Sequence, residues 1–175
     1  MEEKKKLSKK GVIIVIAVLV LLAAATLVLA LLNKPADLPE RGSVAIVSGG
    51  EKLAELTLAE IKALPYTEVQ KEIVSSSFEN DEGLFRGVAL RALLESAGIE
   101  LSAAKQVVVR SEDGFVGAYP ADEVTEGDDI ILAYSKNGEG LGSLADGGTG
   151  PLRIIVISDE FGTRCAKYVS EIEVK

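Results

Sequence analysis

Residues 84–99 read LFRGVALRALLESAGI. Val88, Leu90, Leu93, Leu94 and Ala97 recur at intervals of one to three and fall on one face, which predicts a helix over 87–97. Gly98 stands where a helix closes through a left-handed residue, a conformation glycine enters at least steric cost. Short apolar runs flank this helix on both sides. Residues 43–47, 53–56 and 66–75 read as strands, and 76–83 as a polar loop. Thr57 and Glu60 stand three apart as a capping box, opening a short helix over 58–64 that Pro65 stops.

Downstream, 106–110 is a strand whose three consecutive valines predict burial on both faces. Glu112-Asp113-Gly114 signals a hairpin returning along 115–119, with Asp113 accepting backbone hydrogen bonds in the turn. A helical turn follows at 120–124. Residues 130–134 form a strand, Lys136-Asn137-Gly138 a tight turn, 143–150 a glycine-rich loop, 152–157 a core strand and 168–174 a final alternating strand. Helices do not alternate regularly with strands. The class is therefore α+β, mixed and strand-rich, rather than a doubly wound sheet.

The N-terminal part is of another kind. Residues 11–32 read GVIIVIAVLVLLAAATLVLALL without a charge. At about 1.5 Å per residue this run spans roughly 30 Å, the thickness of a bilayer's hydrocarbon core. A cleaved signal peptide has an apolar core of about 7–15 residues and a small-residue exit, which residues 30–34 do not provide. One N-terminal transmembrane helix, an uncleaved signal anchor, is expected, with membrane lipid as its partner. Lys4, Lys5, Lys6, Lys9 and Lys10 precede the run, and only Lys34 and Arg41 follow soon after it. The basic side stays cytoplasmic. Residues 1–10 are thus a cytoplasmic tail, 11–32 the anchor, 33–42 a proline-bearing linker and 43–175 one extracytoplasmic domain of a single-pass cell-membrane protein.

Charge and composition exclude several functions. The chain carries −8 overall, and residues 1–10 hold five Lys and two Glu, so the remainder carries −11. Such a surface repels nucleic acid. The sequence has no histidine and one cysteine, Cys165. That removes His-dependent triads, His-type zinc sites and an intramolecular disulfide. Gly147-Gly148-Thr149-Gly150 lacks the Lys-Ser/Thr of a phosphate loop. Asp128 and Asp129 lack a Ca²⁺-loop pattern.

Four blocks in order resemble the oxidoreductase molybdopterin-binding domain family, the sulfite oxidase fold. They are LFRGVALRALLESAGI at 84–99, VVVRSEDGFVGAYPADEV at 107–124, ILAYSKNGEGL at 131–141 and GPLRIIVISDEFGTRCAKYVSEIEV at 150–174. The resemblance covers 43–175. It implies oxygen-atom transfer or a related reduction at molybdenum, held by the cofactor's dithiolene and one cysteine thiolate. That cysteine is expected ten to twelve residues before the Gly-Val of the first block. Ser75, Ser76 and Ser77 stand there instead. The resemblance also implies that Arg153, Arg164 and Lys167 hold the pterin's phosphate, a role that suits forked guanidinium donors.

A serine hydroxyl holds its proton far more tightly than a thiol and is a poorer anionic ligand. The leading expectation is therefore a binding or accessory module without catalysis or bound metal, whose ligand is a small anion, a pterin-like compound or a protein partner. An active molybdopterin oxidoreductase with an atypical ligand and a structural envelope protein are the alternatives.

Overall fold

The computed structural model describes residues 9–32, 42–75 and 80–175. Two units separate, residues 1–38 and 39–175. The first contains helix α1 (Lys9–Leu32). Its side chains are described over 15–27, where Val15, Ile16, Val18, Leu19, Val20, Leu21, Leu22 and Leu27 are exposed. The Thr26 hydroxyl donates to the carbonyls of Leu22 and Ala23 at 3.1 and 2.9 Å, so the only polar side chain there is satisfied within the helix. Taken over the described residues, no helix is long and apolar enough to cross a membrane.

The second unit runs β1 (Ser43–Ser48), β2 (Glu51–Thr57), α2 (Leu58–Ala63), β3 (Thr67–Ile73), β4 (Asp81–Ala89), α3 (Leu90–Ser96), β5 (Gln106–Ser111), β6 (Val116–Pro120), α4 (Ala121–Thr125), β7 (Ile130–Lys136), β8 (Glu139–Gly140), β9 (Arg153–Val156) and β10 (Val169–Val174). One sheet has the order β2-β1-β10-β5-β6. The other is β3-β4-β7-β8, with β9 also paired to β7. Among these strands, β1 and β10 pair in parallel and the other pairs are antiparallel.

Both sheets contribute to one main core. Val44, Ile46, Val107, Val109 and Ile172 come from the first; Val88, Leu132, Ile154 and Val156 come from the second. Ile61 of α2, Leu90, Leu93 and Leu94 of α3 and Val124 of α4 complete it. The three leucines are fully buried, worth about 2 kcal/mol each in area removed from water. Val107, Val108 and Val109 are all buried, so β5 is covered on both faces as its composition predicts.

The capping box forms as expected. The Thr57 side chain accepts from the Glu60 N–H, and the Glu60 carboxylate accepts from the Thr57 N–H. Asp113 accepts from the Phe115 N–H at 3.1 Å in the hairpin turn. Gly98 has φ +76°, as a helix-closing residue requires.

Two local readings are corrected. Residues 81–83 are not loop but the start of β4, and 87–89 are not helix but its end. The helix proper begins at Leu90. Gly87 is a glycine because β4 and β7 approach there: a Cβ would lie 2.5 Å from the Leu132 carbonyl oxygen and 2.6 Å from the Ala133 Cα.

Candidate functional site

Asp81, Gly83 and Phe85 alternate along β4, so they share one face of the strand. Phe85 joins Ile73, Ile131, Ala133, Leu141, Ile155 and Cys165 in a second apolar cluster, separate from the main core. The face carries charge at its rim. Lys136 lies opposite Phe85 in the β4–β7 register. Its side chain passes over Gly83, where a Cβ would sit 2.5 Å from the Lys136 Cε, and pairs with the Asp81 carboxylate.

Arg153 opens β9 opposite Ala133 and donates from Nη1 to the other Asp81 oxygen. Its side chain is 3% exposed, and its Nε is buried with no hydrogen-bond partner among the described residues. Both cations stand near the Phe85 ring, at 5.8 Å for Lys136 and 5.7 Å for Arg153. An electron-rich ring face favours such positions. Burial raises the Asp81 pKa, but the hydrogen bonds and charges of Lys136 and Arg153 outweigh it and hold the carboxyl below its ordinary value. Asp81 and Lys136 also line a hollow of about 330 Å³ with Asn137, Glu139, Gly148 and Thr149.

The serine run begins beside this pair. Ile73, the last residue of β3, is registered with Asp81. Val74 bridges Phe161, and the Gly162 N–H donates to the Val74 carbonyl at 3.0 Å. The Ser75 N–H then donates to Asn80 Oδ1 at 3.2 Å. Ser75 is therefore near both Asp81 and the closing block. Ser76 and Ser77 lie outside the described residues.

The closing block runs alongside β9. The Ile154 N–H donates to the Ala166 carbonyl at 2.8 Å, and the Val169 N–H to the Leu152 carbonyl at 3.0 Å. This places Lys167 on the segment flanking Arg153. Lys167 is half-buried and has no ion pair among the described residues. Cys165 is buried, and burial pushes its thiol pKa up.

Arg164 is committed elsewhere. It donates to both Glu123 oxygens at 2.8 Å and to Asp159 at 2.8 and 2.5 Å, tying α4 to the loop after β9. Those hydrogen bonds, Asp159 first, raise its pKa. The Tyr119 hydroxyl donates to the Arg164 carbonyl at 2.5 Å.

The structure thus gathers Ser75, Arg153 and the backbone of Lys167, and adds three residues that the sequence reading did not select: Asp81, Lys136 and Phe85. Their signal was faint. The face-sharing triplet Asp81-Gly83-Phe85 is interrupted by a glycine, which hides a two-residue period.

The family model for the oxidoreductase molybdopterin binding domain matches residues 34–175. The chain belongs to this family. Among solved structures, the molybdopterin binding domain resembles the sulfane dehydrogenase SoxCD from Paracoccus pantotrophus, with a TM-score of 0.62 at 21% identity. The match covers 75% of this chain and 37% of that one, so the present chain spans just over a third of the other's length. At this identity the likeness establishes the strand-rich, sulfite-oxidase-like α+β fold. A comparison with curated proteins found no match.

The donors present in this molybdopterin binding domain do not fit the family's metal group. The stretch that the resemblance assigns to the thiolate carries hydroxyls at 75–77, and the sole thiol, Cys165, is buried in surroundings that disfavour its anion. Among the cations expected at a phosphate, Arg153 already holds Asp81, and Arg164 already holds Glu123 and Asp159. A phosphate would have to displace a carboxylate at either arginine.

Proposed function

We propose that this chain is a non-catalytic binding or accessory module of the molybdopterin-binding fold, tethered to a membrane by the uncharged run at 11–32 with its folded domain on the extracytoplasmic side. The observation that carries the first half is the pairing of the Arg153 charge with Asp81, in a domain with serines where the resemblance expects the metal ligand. A buried arginine already matched by an internal carboxylate gains little from a second anion, because both anions cannot be desolvated against one charge.

The tether rests on the sequence: 22 consecutive uncharged residues at 11–32, flanked by lysines on the N-terminal side. The satisfied Thr26 hydroxyl is compatible with a lipid environment.

The test is elemental and fluorescence analysis of the full chain, produced in a host that makes the molybdenum cofactor and purified in mild detergent. We expect neither molybdenum nor pterin above background. Molybdenum at one atom per chain would establish the oxidoreductase alternative. The tether is checked in the same material: the full chain stays with membranes through alkaline carbonate washing, and recovery in the supernatant would remove that half of the reading.

A further inference from the structure

Tyr168 is held in a conformation that its side chain disfavours. Its φ is +56°, a left-handed value that bulky residues seldom adopt. Neighbours impose it from both sides. The Glu112 N–H donates to the Tyr168 carbonyl at 2.9 Å, and the next N–H, of Val169, donates to the Leu152 carbonyl at 3.0 Å. Backbone strain persists only where its surroundings over-determine it, and it gathers at clamps and switches. Here the Tyr168 hydroxyl reaches Gly148 and donates to its carbonyl at 2.7 Å.

Gly148 belongs to a strap, residues 142–150, that is tied chiefly to itself. The Gly148 N–H donates to the Ser143 carbonyl at 2.9 Å, and the Gly150 N–H to the Gly142 carbonyl at 2.8 Å. The Thr149 N–H donates at 2.8 Å to Leu141, the residue from which the strap departs. None of residues 142–149 is buried, and none joins either apolar cluster. Among the described residues, the Tyr168 hydroxyl supplies the one hydrogen bond that joins 142–149 to a distant part of the chain. The strap also walls two hollows. Gly148 and Thr149 line the one of about 330 Å³ beside Asp81, Lys136 and Glu139. Ser143, Leu144 and Ala145 line another of about 390 Å³, with Gly42, Leu58 and Pro151.

We propose that residues 142–150 are a conformational strap, latched by the Tyr168 hydroxyl, that opens as a local unit and so governs access to both hollows. The inference goes beyond the binding-module reading and holds whatever the domain binds. A segment without buried apolar side chains opens more readily than the sheets beside it, and a single hydrogen bond then sets much of the balance.

The experiment is hydrogen exchange of the full chain in detergent, read by mass spectrometry on peptides covering 142–150 and β7. Wild type and Tyr168→Phe, which lacks only the hydroxyl, are compared in a series of urea concentrations below the unfolding midpoint. In wild type, the strap amides of Gly148, Thr149 and Gly150 are expected to exchange faster than those of β7 and with little dependence on urea, as a local opening requires. In Tyr168→Phe they are expected to exchange about fivefold faster still, with the urea dependence remaining small.

Strap amides that match β7 in rate and urea dependence overturn the proposal, because the strap then opens only with the whole domain. That comparison needs no variant. Equal strap exchange in wild type and Tyr168→Phe also overturns it, because the hydroxyl is then not the latch.

Discussion

Asp81 and Arg153, 72 positions apart, join the first residue of β4 to the first residue of β9, and the pair is lopsided: 3% of the Arg153 side chain is exposed against 25% of Asp81. The two partners therefore have unequal alternatives when the pair is broken. Asp81 retains Lys136 and some water, whereas Arg153 retains only the Phe85 ring among the described residues.

That asymmetry predicts unequal losses. Arg153→Met is expected to cost within about 1 kcal/mol, since a buried charge is replaced by a methionine stem of similar length. Asp81→Asn is expected to cost about 3 kcal/mol, since it strands the guanidinium. Urea midpoints of the two single variants decide the matter, and equal losses would show that the pair is symmetric after all.

The same pair sets an acid limit. The Asp81 carboxyl lies below its ordinary value in the folded protein, so the unfolded chain takes up the proton first as pH falls. Its contribution is complete above the unfolded value of about 3.9 and is lost as pH drops through the folded one. Between pH 5 and pH 3 the urea midpoint of wild type should therefore fall more steeply than that of Asp81→Asn. Parallel pH profiles would mean that Asp81 contributes nothing to acid unfolding.

Gly87→Ala tests the strand reading of the first sequence block. Its new methyl would meet the backbone of Leu132 and Ala133, which cannot swing aside as a side chain can. A loss of about 3 kcal/mol is expected, at the upper end of overpacking costs. A helix-start glycine would instead tolerate alanine, so a neutral or stabilising result in chemical denaturation would contradict the β4–β7 contact.

Cys165 should behave as a buried side chain. Its thiol is covered, and burial disfavours the reactive anion. Labelling by a thiol-specific chromogenic reagent at pH 8 is expected to follow opening of the domain and to accelerate with urea below the unfolding midpoint. Immediate stoichiometric labelling of the native chain would place the sulfur at the surface.

The α2 cap offers a local control. Thr57→Ala removes the acceptor for the Glu60 N–H and is expected to cost about 1 kcal/mol by urea denaturation. A change of a few tenths or less would mean that packing of Ile61 alone holds the helix.

Elements whose signal is carried by neighbours in the chain were readable in advance. Thr57 and Glu60 announce α2 because their reciprocal hydrogen bonds need only three residues of separation. Asp113-Gly114 and Asn137-Gly138 announce their turns because the backbone geometry is local, with Gly114 and Gly138 at φ +87° and +84° and Asn137 at φ +53°. The helix period at Leu90, Leu93 and Leu94 was also visible, but its start was misplaced. Gly87, Val88 and Ala89 continue an apolar helical pattern equally well, and only their pairing with Ala133, Leu132 and Ile131 makes them strand. Asp81 was lost in an apparently polar loop for the same reason: its partners Ile73, Lys136 and Arg153 are supplied by other strands.

The order of residues by itself determined which chemistry this protein can offer: no histidine, one thiol, serines at 75–77, an acidic domain and an uncharged stretch near the N-terminus. These are matters of which atoms exist, and folding cannot add to them. The tertiary structure alone decided how the existing charges are spent. Arg153 and Arg164 look equally available on paper, but Coulomb attraction and desolvation act between side chains that the sheets bring together from distant positions. That assembly gave Asp81 to one arginine and Glu123 and Asp159 to the other.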